Sequence, residues 1–204
     1  MKAPEENVLV VRRSLFDELG AFHGLKFEPQ KYLDAFLSRG NNFFLRRAEA
    51  EVNSDYKQII PYALVVFKDK VAYYVRGKKA GEQRLVAKGS IGIGGHMNET
   101  DESLFAMDDQ AYRAAVEREV NEEIKIETPF EDRIVALLND DTNEVGRVHL
   151  GVIHVFKLAE PNVEKREAMI TGLTFLTKDE LLSRRETMET WSQICVDSLD
   201  HLLL

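Results

Sequence analysis

Three glutamates and an arginine lie close together in the stretch REVNEE, residues 118–123. On a helix, Glu119, Glu122 and Glu123 are spaced at i, i+3 and i+4, so their carboxylates share one side and repel one another. A hard divalent cation such as Mg²⁺ takes oxygen ligands and would relieve that repulsion. Arg118 can hold one of the carboxylates through its rigid planar guanidinium group. The alternative is an acidic helix face that contacts only solvent.

A cluster of glycines precedes this stretch in the segment GSIGIGGH, residues 89–96. The adjacent Gly94 and Gly95 permit backbone conformations closed to other residues and let backbone groups approach a ligand. Glycines alone more often indicate a tight loop or a bulge. A glycine loop that leads into a helix with three clustered glutamates, however, is the arrangement of a metal–phosphate site.

The elements that position these residues predict a mixed α/β domain. The segment AYRAAVEREVNEEI repeats an apolar residue every four positions from Tyr112 to Ile124, which predicts a helix. Two apolar runs on either side of residues 68–70 predict a β-hairpin. Later strands are expected at RIVALLN, RVHLGVIHVFKL and GLTFLT, and a closing helix at ETWSQICVDSLDHLL.

The N-terminal part predicts a strand over residues 8–16, VLVVRRSLF, followed by an irregular connection rich in glycine. Pro29 suits the first turn of a helix over QKYLDAFLSR, and Gly40 is expected to end that helix.

Composition restricts the possible functions and locations. The hydrophobic fraction of 44% and the charged fraction of 30% are typical of a globular protein. The net charge of −8 argues against a nucleic-acid polymer as partner, because such binders are usually basic. The apolar-rich run at residues 59–67 is too short to cross a membrane, and the N-terminus does not resemble a signal peptide. A single cysteine, Cys195, fits a reducing compartment, so we expect a cytoplasmic protein without a membrane partner.

The glycine pair and REVNEE together resemble the sequence box of the Nudix hydrolases, G-x5-E-x7-R-E-U-x-E-E-x-G-U, in which U is aliphatic. The residues that match its second half in register are Arg118, Glu119, Val120, Glu122, Glu123 and Ile126. Lys125 occupies the position of the last glycine of the box. The stretch between Gly95 and Arg118 is longer than the box allows, so an insertion is expected there, and Glu102 and Asp109 are the candidates for the first glutamate of the box.

This resemblance implies a hydrolase that cleaves a phosphoanhydride or phosphoester bond in a small nucleoside-diphosphate-linked or related metabolite. It implies Mg²⁺ or Mn²⁺ as the cofactor, with Glu122 and Glu123 as metal ligands. Glu119 is then a ligand or the base that activates water, and Arg118 supports it. The backbone carbonyl group of Gly95 or of its neighbour Gly94 adds a ligand.

The resemblance also implies the architecture, an α/β/α sandwich with a mixed sheet over residues 59–204. Segments such as YKQIIPYALV, SIGIGGHMN, NDDTNEVGRVHLGV and ETWS resemble a bacterial subgroup of predicted Nudix-type phosphoesterases. Residues 1–58 lie outside the general Nudix pattern and are expected to form an N-terminal α/β extension packed on the core. Dimers are frequent in the family, so a homodimer is expected.

Other residues are also candidates for the site, and some of them have a competing candidate or explanation. Family members often recruit another acid after the box, for which Glu167 is the first candidate and Glu164 the second. The basic run before the glycines is a candidate to bind substrate phosphates, although an exposed turn explains it equally well. The substrate-binding candidates are Arg76, Lys78 and Arg84 in that run and Asp141 in a polar turn.

His149 and His154 are five residues apart on one predicted strand, so they point to opposite faces and cannot form a metal pair there.

Two rival functions remain on the same fold. One is a sensor that binds a nucleotide-like ligand without turnover, which the intact R-E-x-x-E-E pattern argues against because a binder has no need of a base. The other is an isomerase of prenyl diphosphates, which requires a cysteine and an acid in the pocket. Cys195 lies on a late helix, far along the chain from the box, which argues against the isomerase.

Overall fold

A computed structural model describes residues 6–77, 87–99, 109–168 and 170–204. These residues form the predicted mixed α/β fold, with a large sheet and several helices. The elements in chain order are β1 (Asn7–Arg12), α1 (Arg13–Gly20), β2 (Gly24–Lys26), α2 (Gln30–Phe36), β3 (Asn42–Arg46), α3 (Arg47–Ala50), β4 (Tyr56–Phe67), β5 (Lys70–Arg76), β6 (Gly89–Ser90), β7 (Gly92–Ile93), α4 (Asp109–Glu123), β8 (Ile124–Ile126), β9 (Phe130–Asn139), α5 (Glu144–Arg147), β10 (His149–Leu158), β11 (Val163–Lys165), β12 (Ile170–Thr177), α6 (Lys178–Leu182), α7 (Thr190–Asp197) and α8 (Leu199–Leu202).

The chain divides into two compact units. The first comprises residues 1–61, 95–118 and 136–152, and the second comprises residues 62–94, 119–135 and 153–204. The division of the sequence into an extension and a hydrolase domain at residue 58 stays a prediction.

In the first unit, β1 pairs antiparallel with β3 and with the beginning of β4, and β2 pairs with β9. The core under β1 contains Val8, Val10 and Ala50, which are fully buried. α1 and α2 contribute a cluster of rings in which Phe16 and Tyr32 are 6.3 Å apart between centroids. Burial of these apolar side chains, rather than helix propensity, stabilises such short helices.

In the second unit, the predicted hairpin of β4 and β5 is present, with Lys68 in a positive-φ turn. β12 pairs with the other side of β5. β6 also pairs with β5, and β7 pairs with Ala63 and Leu64 in the second half of β4. α6 begins with a capping box in which Thr177 and Glu180 bond each other's backbone groups. The ring of Trp191 on α7 packs edge-on against Tyr62 on β4 at 5.6 Å between centroids. This unit contains the last turn of α4.

The N-terminal segment differs from the sequence prediction. β1 ends at Arg12 and α1 follows immediately, whereas the sequence predicted one strand through residue 16. Phe16 is fully buried on α1, and Arg13 forms an i,i+4 ion pair of 2.8 Å with Asp17 on its exposed side. One inward ring and one outward ion pair are enough for a two-turn helix, but this pattern is too short to be distinguished from the end of a strand.

α2 also ends earlier than predicted, at Phe36 rather than at Gly40. The side-chain amides of Asn41 and Asn42 donate to the carbonyl groups of Ala35 and Phe36, at 2.8 and 2.7 Å. These two amides satisfy carbonyls that a longer helix would have used, so the helix stops before the glycine.

The closing helix is two helices, α7 and α8, because Ser198 between them leaves the helical conformation. Trp191 and Cys195 on α7 are buried. None of the helices in the described ranges is long and apolar enough to span a membrane.

Candidate active site

The last turn of α4 carries the three clustered glutamates, which differ in burial. Glu119 is buried, with 8% of its surface exposed, whereas Glu123 is half-buried and Glu122 is exposed. The apolar residues Val120 and Ile124 between and after them are buried in the core. The alternative of a merely solvated acidic face is therefore wrong for Glu119, which the fold holds inside the protein.

A distant segment caps the end of α4, where the sequence box has a glycine. The backbone carbonyl group of Glu123 accepts hydrogen bonds from the N–H groups of Arg166 and Glu167, at 2.9 and 3.3 Å. The chain then enters β8, which pairs with β11 so that Lys125 lies opposite Glu164. Because Lys125 is in a strand and the helix carbonyl is already satisfied, a glycine is not required at this position.

The same contact separates the two candidates for the additional acid. The backbone of Glu167 is bonded to the end of α4, and its carboxyl group lies near Glu122. Desolvation, and then repulsion from Glu122, raise the pKa of Glu167. Glu164 is exposed on β11. The fold thus brings Glu167 to the glutamates of α4, while its role as a ligand stays a prediction.

The carboxyl group of Glu123 has an acidic and poorly solvated environment. Desolvation raises its pKa most, repulsion from Glu167, Glu119 and Glu189 adds to the shift, and the pKa reaches about 8. Arg76 opposes this shift by attraction. A carboxylate in such surroundings is stabilised either by a proton or by a bound cation.

These residues fit a hard divalent cation in their chemistry, because the donors are carboxylate oxygens and the cluster carries excess negative charge. Their side chains do not surround a common point. Within the described ranges, no group of three or more His, Cys, Asp or Glu residues is placed to hold a metal ion. The cluster therefore has the charge of a metal site without a closed coordination geometry.

Arg76, a predicted substrate contact, ends β5 beside a buried glutamate. Its Nη2 atom lies 3.9 Å from Oε1 of Glu189, and its guanidinium group lies over the Tyr74 ring at 5.8 Å from the centroid. Its Nε atom is buried and has no hydrogen-bond partner among the described residues. Burial lowers the pKa of Arg76, but Tyr74, Glu189 and Glu123 together raise it overall. Arg76 is thus a permanent cation among carboxylates, and its contact with substrate stays a prediction.

Glu189, the residue before α7, is a candidate functional residue that the sequence analysis missed. Only 8% of its surface is exposed. Its Oε1 atom accepts hydrogen bonds from the hydroxyl groups of Tyr62, Ser90 and Ser192, at 2.7, 2.8 and 3.2 Å. The signal in the sequence is the segment ETWS, in which Glu189 and Ser192 are three residues apart at a helix start. Tyr62 and Ser90 are 127 and 99 residues away, so no local pattern reveals the cluster.

The glycines before α4 have separate structural reasons. A Cβ atom at Gly89 would lie 2.6 Å from the hydroxyl oxygen of Tyr73, and one at Gly92 would lie 2.0 Å from the ring of Tyr62. Gly94 has a φ of +154°, which residues with a side chain rarely adopt. Close tyrosine packing therefore explains two of the glycines and backbone conformation explains the third, while the ligand role of the Gly94–Gly95 carbonyls stays a prediction.

Asp141, the substrate-binding candidate in the polar turn, takes part in ion pairs within the first unit. Its Oδ1 atom lies 2.6 Å from Nζ of Lys57, and its Oδ2 atom lies 3.1 Å from Nη2 of Arg13. The Lys57 ammonium group is fully buried and also donates to Oδ1 of Asn139 at 2.7 Å and to the carbonyl of Gly146 at 2.9 Å. These contacts give Asp141 a structural role, and contact with substrate is left as a prediction.

His149 and His154 have different partners, as their opposite directions on one strand predict. The Nε2 atom of His149 lies 3.3 Å from Nε2 of His96, and its Nδ1 atom lies 2.7 Å from the carbonyl oxygen of Val145. His154 is fully buried and its Nδ1 atom lies 2.8 Å from Oδ1 of Asp132. Both histidines are therefore satisfied within the protein.

Some of the remaining predicted site residues lie within the ranges that the structure describes, and the others lie outside them. Arg118 and Gly95 are half-buried. Asp109 is exposed and pairs with Arg113 at 3.0 Å at the start of α4. The predictions for Lys78, Arg84 and Glu102 lie outside the described residues.

Comparison with known proteins gives one curated relative and several solved structures. No family model matches the chain. The chain is 37% identical over 166 residues to protein YmaB of Bacillus subtilis (strain 168). The aligned region covers 76% of this chain and 77% of YmaB. The crystal structure of Tm1382, a candidate Nudix hydrolase, superposes with a TM-score of 0.79 at 30% identity and covers 95% of this chain and 98% of Tm1382.

A more distant likeness concerns the fold alone. It is to the bifunctional NMN adenylyltransferase/ADP ribose pyrophosphatase of Francisella tularensis, solved with AMP and a manganese ion. The TM-score is 0.51 at 18% identity, covering 72% of this chain and 42% of that protein.

Proposed function

Because this chain belongs to the Nudix hydrolase superfamily, we propose that it hydrolyses a phosphoanhydride or phosphoester bond in a small phosphorylated metabolite with the help of Mg²⁺ or Mn²⁺. The observation that carries the proposal is the environment of Glu123, where burial and three further carboxyl groups raise its pKa to about 8. A site with this excess of negative charge is suited to a divalent cation and, through it, to phosphate oxygens.

In this proposal, Glu122 and Glu123 hold the cation and Glu167 adds a ligand from the segment that caps α4. Glu119 is a further ligand or the base that takes a proton from water, and its burial keeps its carboxylate in a fixed position. Arg118 holds a neighbouring carboxylate. When bound, the metal would stabilise charge on the phosphate oxygens and lower the pKa of water.

The proposed substrate class rests on the family and on a structural neighbour that is named an ADP ribose pyrophosphatase. ADP ribose is a nucleoside diphosphate linked to a sugar. Nucleoside-diphosphate-linked compounds are therefore the first substrates to test. A homodimer remains part of the proposal on family grounds.

The test is a panel of diphosphate compounds incubated with purified protein and Mg²⁺ or Mn²⁺. We expect release of phosphate or of a nucleoside monophosphate from at least one compound. Glu123→Gln and Glu122→Gln should each lower kcat by about a hundredfold or more, because each removes a charged ligand. Glu117→Gln is the matched control, since Glu117 is an exposed glutamate on the same helix.

Two outcomes would redirect the proposal. Full activity in the Glu122→Gln and Glu123→Gln variants would mean that these residues do not hold the metal. Tight binding of ADP ribose by the wild type without turnover would favour the sensor hypothesis instead. The isomerase hypothesis has no support at Cys195, because the thiol is buried and burial raises its pKa.

A further inference from the structure

The start of helix α7 is connected to residues 89–91, in the glycine-rich segment before Gly94, by several hydrogen bonds. The backbone N–H of Glu189 donates to the carbonyl group of Gly89 at 3.0 Å. The N–H of Ile91 donates to the hydroxyl oxygen of Ser192 at 3.0 Å, and the Ser90 hydroxyl donates to Glu189 at 2.8 Å. Three consecutive residues of this segment are therefore held by the start of one helix.

The last residue of the segment is held from another side. The hydroxyl group of Tyr74 donates to the carbonyl group of Gly92 at 2.9 Å. The N–H of Gly92 donates to the hydroxyl oxygen of Ser90 at 3.3 Å, and that hydroxyl is itself bonded to Glu189. Residues 89–92 thus have little freedom before the chain reaches Gly94.

Glu189 also determines the position of a cation. Arg76 has two acidic neighbours in the second unit, Glu189 at 3.9 Å and Glu123 through electrostatic attraction. Oε1 of Glu189 accepts hydrogen bonds from three hydroxyl groups, which restrain this carboxylate. A guanidinium group shared with a fixed carboxylate is restrained from pairing fully with Glu123.

We propose that Glu189 is a positioning residue, which holds both Arg76 and residues 89–92 so that the carboxylate of Glu123 stays available to a cation. This inference rests on the proposed function for its purpose, but the restraint on the chain is independent of turnover. Without the charge of Glu189, Arg76 turns to Glu123 and competes with the cation for that carboxylate. Glutamine at position 189 keeps an oxygen that can accept from the hydroxyl groups but loses the charge that attracts Arg76.

The test is a double-mutant cycle of Glu189→Gln and Arg76→Gln, read by Mn²⁺ affinity in solution with electron paramagnetic resonance. We expect Glu189→Gln to weaken Mn²⁺ binding by about fivefold to tenfold, the range of a single partly buried charge interaction. In the Arg76→Gln background the same substitution should have a clearly smaller effect, because only the direct charge of Glu189 is then lost and there is no guanidinium to redirect. Glu186→Gln, three residues earlier and exposed, is the matched control and should match the wild type.

A second measurement examines the backbone restraint in the metal-free protein. Ser192→Ala removes the acceptor of the Ile91 N–H, so hydrogen exchange at Ile91 should become at least about tenfold faster in the metal-free protein. Unchanged exchange at Ile91 would overturn the role of α7 in holding the segment.

The two arms separate this inference from the proposed function. If Glu189→Gln weakens Mn²⁺ binding equally with and without Arg76, the effect is a simple loss of charge and the positioning role is wrong. Unchanged Mn²⁺ affinity in Glu189→Gln overturns it as well. If the cycle and the exchange behave as expected but no diphosphate in the panel is hydrolysed, the proposed hydrolase function fails and the positioning role stands.

Discussion

Lys57 and Glu123 both carry titratable groups with restricted access to water, but the chain surrounds them in opposite ways. In the first unit, the ammonium group of Lys57 is fully buried and reaches four oxygen atoms, two on side chains and two on the backbone. In the second unit, the carboxyl group of Glu123 is near three other carboxyl groups, and Arg76 opposes them. Desolvation acts against both charged forms, since it lowers the pKa of Lys57 and raises that of Glu123.

This difference separates a charge that is paired within the protein from one that has capacity left for a ligand. A buried charge that is balanced by an opposite charge and by enough hydrogen-bond partners stabilises one arrangement of the chain and has no capacity left for a ligand. A buried charge among like charges is unfavourable in the protein alone and becomes favourable when a counter-ion arrives. Substitutions in the two regions test that distinction.

Replacing Lys57 by methionine should destabilise the protein strongly, by about 3–5 kcal/mol, because several buried acceptors lose their donor at once. The measurement is the free energy of unfolding in urea. Lys157→Met is a control on an exposed lysine and should change stability little. A Lys57→Met variant as stable as the wild type would show that the buried contacts of Lys57 contribute nothing to the fold.

Replacing Glu123 by glutamine should stabilise the metal-free protein at alkaline pH. The folded pKa of about 8 is above the ordinary value of 4.5, so the stability that the protonated carboxyl group contributes is present below pH 4.5 and is lost as pH rises through 8. Glutamine does not ionise, so between pH 5 and pH 9 the variant should gain on the order of 3 kcal/mol relative to wild type.

The measurement for Glu123→Gln is urea unfolding in the presence of a chelator at several pH values. Glu117→Gln should follow the wild type across the whole range, because Glu117 is exposed. A difference between Glu123→Gln and wild type that does not change with pH would contradict the assignment of the unfavourable charge to Glu123.

Each region also contains a glycine without room for a side chain, and the obstacles differ. A Cβ atom at Gly146 would lie 1.7 Å from the backbone oxygen of Asp140, whereas one at Gly92 would meet the side-chain ring of Tyr62 at 2.0 Å. A ring can tilt more easily than a backbone carbonyl can move, so Gly146→Ala should lose about 1 kcal/mol more stability than Gly92→Ala. Thermal unfolding of the two variants compares them directly, and the reverse order would show that the Tyr62 ring is the more rigid obstacle.

The smallest effect is expected at the exposed edge of the Lys57 cluster. Arg13 pairs with Asp141 and Asp17, but its side chain and those of its partners remain partly exposed to solvent. Arg13→Ala should therefore cost about 0.5 kcal/mol and less at high salt. Urea unfolding at low and high salt measures this, and a loss as large as that of Lys57→Met would mean that Arg13 belongs to the buried part of the cluster.

Part of the fold could be predicted because its signals are local. The apolar repeat of α4 and the paired runs of β4 and β5 are short-range patterns, and both elements are present. α1 was missed because two turns with one buried ring have no distinctive period. The pairing of β8 with β11 was missed because each strand has three residues and gains its stability from the other.

The candidate site shows the same division. The three glutamates of α4 are recognisable from spacing alone. Glu167, the first candidate for a further acid, lies near them in the fold, and its role as a ligand stays a prediction. Glu189 could not be found in this way, since its partners Tyr62 and Ser90 are brought to it only by the packing of α7.

Residue spacing along the chain is enough to predict that three carboxylates share one side of a helix, because residues three and four positions apart lie on the same face. The desolvation of each carboxylate, and the identity of the cation that opposes their mutual repulsion, depend on the folded structure. Desolvation and electrostatic attraction depend on groups that are distant along the chain, and the contact of Arg76 with Glu189 is such a case. Residue spacing therefore indicated a metal-binding chemistry, and folding gave Glu123 the environment that suits a metal ion.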